Sequence, residues 1–162
     1  MEFNSKLKIS KQRGSMMVEI LVVAAILVAT TIVALEVAHK SIYVARQSLH
    51  QSQAAFLLEE GVEATRIVRD NAWSQISGLS LSTNYYLSFS GGTWVLSVTP
   101  STIGIFTRTV VFSSAYRDGS QNLASSGTLD AQTKLITVTV SWLEGTQVLS
   151  KNLKFYITDL FS

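Results

Sequence analysis

The chain has 162 residues, of which 47% are hydrophobic and 15% charged, with a formal net charge of +2 and a mean hydropathy of +0.29. That apolar content excludes intrinsic disorder, and 9 Gly with 1 Pro exclude a collagen-like or proline-rich chain. The absence of cysteine removes disulfides, thiolate catalysis and cysteine-held zinc, and a charge of +2 is too small to argue for nucleic acid.

Residues 1–14 make a basic leader, with Lys6, Lys8, Lys11 and Arg13 against Glu2. Residues 20–35 then read ILVVAAILVATTIVAL without a charge, slightly short of the ~20 apolar residues a spanning helix needs. Extending the span back to Ser15 takes in Glu19. An ionisable group there costs ~2.5–3.5 kcal/mol on insertion scales, so Glu19 is the first candidate for a functional residue. The basic flank predicts a cytoplasmic leader and an outward chain beyond about residue 38. A cleavable secretory signal has a shorter apolar region, ~7–15 residues, ending in a small-x-small site. Here Ala34 and Ala38 follow Ile32 and Glu36 at two residues' distance, which fits that site poorly. A retained transmembrane anchor over 15–38 is expected.

Residues 11–29, KQRGSMMVEILVVAAILVA, resemble the prepilin signal of type IV pilins and type II secretion pseudopilins. The resemblance implies that Gly14 ends the leader, that prepilin peptidase cuts between Gly14 and Ser15, and that Glu19 stands fifth in the mature chain. The family's N-methylation would fall on Ser15. Ser15 and Met16 depart from the large apolar residue and the threonine or serine usual at these two positions. It further implies that Glu19 pairs with the N-terminal amine of a neighbouring subunit during assembly. The implied partners are membrane lipid, an inner-membrane assembly platform and other pilin or pseudopilin subunits. Residues 54–73, AAFLLEEGVEATRIVRDNAW, and 134–145, KLITVTVSWLEG, are similar to minor pilins of the PilV and pseudopilin I type.

From Met16 to about Ile76 no proline occurs and only Gly61 interrupts good helix formers, so one continuous helix is predicted, its 39–77 part lying beyond the anchor. Ala54, Leu57, Leu58, Gly61, Val62, Thr65, Val68, Ala72 and Ile76 recur at three-and-four spacing and mark the face to be buried. Glu59, Glu63, Arg66 and Asp70 can pair along the surface. Ser77-Gly78 is the expected stop, with glycine in the left-handed cap conformation.

Beyond Gly78 the period becomes two-fold, giving an extracytoplasmic antiparallel β domain over 78–162. Tyr85, Leu87 and Phe89 alternate, Ser90-Gly91-Gly92-Thr93 reads as a turn, and Trp94, Leu96 and Val98 return. A third strand is expected at about 107–113 and a loop at 116–132. Ile136, Val138, Val140 and Trp142 alternate most cleanly, and a turn at 143–147 leads to Leu153, Phe155 and Ile157. The expected architecture is therefore α+β and pilin-like: a long N-terminal helix, its inner half transmembrane, on a C-terminal antiparallel sheet of four or five strands.

Other candidates read more plainly. Asp118, Asn122 and Asp130 offer oxygen ligands but lack the acid spacing of a calcium loop, so a solvated loop without metal is expected. His39 and His50 read as surface histidines. Arg66, Arg69, Arg108 and Arg117 read as a solvated, acid-paired face rather than a nucleic-acid surface. No Gly-x-Ser-x-Gly elbow, base-equipped histidine or phosphate-cradling glycine loop occurs, so neither catalytic residues nor a cofactor are expected. The reading is a non-enzymatic minor type IV pilin or pseudopilin. Its rival is a single-pass, signal-anchored protein whose outer β domain binds a ligand. An anchored hydrolase ranks last for want of a nucleophile and base.

Overall fold

The computed structural model describes residues 12–160; the leader's Lys6, Lys8 and Lys11 lie outside the described residues. The chain divides into two compact units, Met1–Gln47 and Ser48–Ser162.

Helix α1 (Gln12–Asn71) runs through both units, and the first unit's described residues consist of it alone. From Met16 to Leu35 its only ionisable residue is Glu19. A window of mean hydropathy 2.7 makes the helix long and apolar enough to cross a membrane. Its hydroxyls are satisfied locally, because Thr30 and Thr31 both donate to the Leu27 carbonyl, at 3.0 and 2.7 Å.

In the second unit α1 lies on one face of a seven-stranded antiparallel sheet, an α+β arrangement consistent with a pilin-like fold. The strands are β1 (Asn84–Ser90), β2 (Thr93–Ser97), β3 (Thr102–Ile103), β4 (Phe106–Arg117), β5 (Leu123–Ala124), β6 (Thr128–Glu144) and β7 (Gln147–Thr158). Their order is β2-β1-β4-β6-β7, with the short β3 and β5 each paired to β4. The five-strand path matches the four or five expected; β3 and β5, two residues each, are too short to carry a periodic signal.

The stripe foreseen on the helix is the buried one. Ala54, Leu58, Gly61, Val62, Thr65 and Val68 are buried, with Ala64 added. They meet Tyr85 and Leu87 of β1, Phe106, Val110 and Phe112 of β4, Ile136, Val138, Val140 and Trp142 of β6, and Ile157 of β7. Each such side chain contributes roughly 1.5–3 kcal/mol when fully buried. Gly61 is where helix and sheet come closest: a Cβ there would lie 2.8 Å from Val138 Cγ1 and 3.0 Å from Arg108 Cδ.

Four expectations are corrected. The helix stops at Asn71, whose side chain donates to Thr93 Oγ1 at 2.9 Å, and resumes as the single turn α2 (Ser74–Ser77). This break turns Ile76 into the core. Gly78 keeps a right-handed conformation, φ −83°, rather than the left-handed cap. Residues 116–132 are not all loop: β4 continues to Arg117, β6 begins at Thr128, and a register shift at Ser114/Ala115 absorbs the mismatch that hides the period. Phe89 and Val98 are 64% and 63% exposed, the first beside the β1–β2 turn and the second just beyond the end of β2, so the alternation does not carry either into the core. The Ser90–Thr93 turn is as expected, with positive φ at both Gly91 and Gly92.

Candidate functional site

The bond between Gly14 and Ser15 lies in the first turns of α1, and Glu19 follows one turn later. Glu19 is exposed and shares a helix face with Met16, Ile20, Val23, Ala24 and Leu27, one carboxylate in an apolar stripe. Every side chain from Ser15 to Arg46 is exposed, so nothing within the first unit covers this stripe.

The second unit carries a polar cluster that sequence reasoning missed. His50 Nδ1 lies 2.6 Å from Glu144 Oε2, and Trp142 Nε1 donates to the same oxygen at 3.2 Å. Glu144 is buried and His50 half-buried, which corrects the expectation of a surface histidine. The cause is helical spacing: His50 stands four residues before Ala54 and therefore on the buried stripe. The contact fixes the tautomer, with Nδ1–H donating to the carboxylate and Nε2 left over. The His50 ring also meets Phe106 edge-on at 6.2 Å.

Beside His50 opens an apolar recess of about 500 Å³, walled by Phe56, Leu57, Ile103, Ile105 and Phe106 with Gln53 at its rim. Phe56 is 70% and Ile105 52% exposed, so apolar surface faces solvent around a polar imidazole. His50 and Gln53 are its only polar side chains among the lining residues.

Arg108 is likewise not on the surface. It is 3% exposed, donates to Glu60 Oε2 at 2.6 Å and the Leu57 carbonyl at 3.2 Å, and lies 5.3 Å from the Trp94 ring centre. Those two bonds commit this cation to the helix–sheet contact, while among the described residues its buried Nε has no partner. Arg66 does sit on the outside, paired with Glu63 at 2.7 Å, whereas Arg69 is half-buried and reaches the exposed Asp70 at 2.8 Å, which corrects the expectation of a solvated arginine there.

At the far end of β4, Arg117 Nε donates to Asp130 Oδ2 at 2.7 Å. The Asp118 carboxylate accepts the backbone N–H groups of Asn122 and Ser120, at 2.9 and 2.8 Å. Those amides, Asn122 first, hold the Asp118 carboxyl below the ordinary value of 3.8. The Thr133 hydroxyl, then the Arg117 guanidinium, do the same for Asp130. Asp118, Asn122 and Asp130 thus brace the hairpin end, and among the described residues no group of three or more His, Cys, Asp or Glu is placed to hold a metal.

No family model, characterised protein or solved structure matches the chain. The functional reading therefore rests on residues and geometry.

Proposed function

We propose that this chain is a structural subunit of a pilus or secretion pseudopilus, of the minor type IV pilin or pseudopilin kind. Prepilin peptidase cuts it between Gly14 and Ser15, residues 15–38 hold it in the membrane with the leader inside, and the sheet-bearing unit lies outside. An inner-membrane platform then passes it into a filament of like subunits. The subunit needs no cofactor or catalytic residue, because its work is packing.

One observation carries the reading: α1 is uncovered and apolar through residues 15–35, with a single carboxylate at Glu19, and then joins a folded unit through the same helix. Apolar packing lacks selectivity, and one charge that is costly in lipid supplies it when a partner neutralises it. Removing the leader takes away four basic residues and one acid, leaving nine basic and ten acidic. The positive balance then acts as an address for insertion rather than as a partner-binding charge.

The test is the intact mass of the membrane-extracted protein made with prepilin peptidase. A chain beginning at Ser15 is expected; one still beginning at Met1 sinks the proposal. In the same cells Glu19→Ala is expected to be cut normally and to enter filaments at least tenfold less. The recess beside His50 favours the second reading, a signal-anchored protein with a ligand-binding outer domain, and that reading requires an uncut leader.

A further inference from the structure

We propose that Lys40, Tyr43 and Arg46 bind the phosphate of an anionic phospholipid at the outer end of the membrane anchor. The inference rests on the subunit reading above and names the headgroup that the anchor meets there.

The three residues belong to the first unit and share one face of α1. Steps of three residues, Lys40 to Tyr43 to Arg46, keep them within about a third of a turn. All three side chains are exposed, and Lys40 Nζ stands 5.7 Å over the Tyr43 ring. Pairing separates these two cations from the later arginines. Arg66, Arg69, Arg108 and Arg117 each meet a carboxylate at 2.6–2.8 Å. Among the described residues neither Lys40 nor Arg46 has an acid within ion-pair distance, although Glu36 lies one turn before Lys40. Two unpaired cations around one phenol ask for an oxyanion.

Depth along the helix selects which one. Lys40 stands ~38 Å along α1 from Ser15. A bilayer measures ~30 Å across its hydrocarbon and ~40–45 Å with its headgroups. An anchor starting at the inner surface therefore brings Lys40 to the outer phosphates. Arg46 lies ~9 Å further out. Its Cα–Cβ bond tilts towards the helix N-terminus, so the long side chain snorkels back into the headgroup layer. Tyr43, between them, is an amphipathic ring of the kind enriched at this level. Ile42 and Val44, 60% and 50% exposed, place apolar surface beside the cations, which suits the acyl boundary and not a soluble anion. A headgroup of net negative charge is favoured over a zwitterionic one, whose own cation is repelled. Cutting after Gly14 removes Lys6, Lys8, Lys11 and Arg13, so Lys40 and Arg46 are then the lysine and arginine that border the anchor. Drawing either into hydrocarbon is costly, and the pair thereby fixes the depth of the helix.

Native mass spectrometry tests the site on the full chain, made with the peptidase and extracted from vesicles of equal phosphatidylglycerol and phosphatidylcholine. Lipid adducts are expected to favour phosphatidylglycerol at least threefold. Lys40→Gln with Arg46→Gln, both at exposed positions, is expected to abolish that preference, and Tyr43→Leu to halve it. Lys134→Gln with Lys154→Gln, the same loss of charge on the sheet, is expected to leave it unchanged. A preference that survives Lys40→Gln with Arg46→Gln overturns the site, and one that ignores Tyr43→Leu removes the ring from it. Inorganic phosphate is then added to the delipidated chain in detergent. Phosphate adducts lost with the same two substitutions, in a chain without lipid preference, assign the cations to a soluble anion and overturn the proposal. The spectra also report the first residue. Chains beginning at Ser15 without a phosphatidylglycerol preference overturn the site and leave the subunit reading standing. Chains beginning at Met1 overturn the subunit reading itself.

Discussion

The two units use one helix in opposite ways. Up to Gln47, α1 has helical hydrogen bonds and no covered side chain from Ser15 to Arg46; from Ser48 the same helix buries a stripe against a sheet. Backbone satisfaction is common to both, so helicity alone says nothing about where a helix finds its partner. The polar groups differ more. In the first unit Glu19 has no partner among the described residues, whereas in the second the buried Glu144 and Arg108 are each met by groups from another element. A charge matched inside the chain contributes to folding. One left unmatched on an apolar helix contributes nothing of that kind within the chain.

Truncating side chains on either side of the boundary should break this contrast most visibly. Phe112 is fully buried, and Phe112→Ala is expected to cost ~3–5 kcal/mol in urea unfolding of detergent-solubilised protein, followed by tryptophan fluorescence. Leu27→Ala, at a 61% exposed position, is expected to stay within ~0.5 kcal/mol in the same monomeric sample. Equal losses would mean that the first unit has an internal partner after all. Glu144→Ala leaves the Trp142 N–H and His50 without their shared acceptor and should cost ~1–3 kcal/mol.

Two glycines sharpen the comparison further. Gly61→Ala forces a methyl group to 2.8 Å from Val138 Cγ1, which is expected to cost ~1–3 kcal/mol. Gly78→Ala meets only the Ser74 carbonyl at 3.7 Å, at a right-handed φ of −83°, and is expected to stabilise by ~0.4–1 kcal/mol. Opposite signs in paired denaturation curves would tie the effect to close approach rather than to glycine as such.

Much of this contrast is legible in the amino-acid sequence, and the misses share a cause. Period-two alternation through Ile136, Val138, Val140 and Trp142 places Glu144 on the same inner face, yet its charge and the following Gly145 assign it to a turn. Arg108 sits likewise between Phe106 and Val110 in a strand that alternates inward. His50 obeys the helical spacing of Ala54, Leu58 and Gly61. In each case the period points inward and residue polarity argues against it. What no period encodes is the counter-charge: Glu60 and Glu144 reach Arg108 and His50 across 48 and 94 residues of chain. The recess is illegible for the same reason, since its two walls come from α1 and the β3–β4 turn. The helix of the first unit is legible because its apolar run and its lack of proline are local in sequence.

The smallest effect expected is a pH response confined to the end of β4. Asp118 and Asp130 are held ionised, the first by backbone N–H groups of Asn122 and Ser120, the second by the Thr133 hydroxyl and Arg117. Both folded-state pKa values lie below the ordinary 3.8, so on acidification the unfolded chain takes up protons first. Their contribution is complete above that value and is lost as pH falls through it towards the folded-state pKa. Amide exchange at Ser120 and Asn122 should accelerate below about pH 4 relative to the amides of Val138 and Val140, once corrected for intrinsic rates. Asp118→Asn should flatten this response, because the amide oxygen still accepts both N–H groups but no longer titrates. An equal response in that variant would place the acid sensitivity elsewhere in the sheet and leave the hairpin end held by its turn geometry alone.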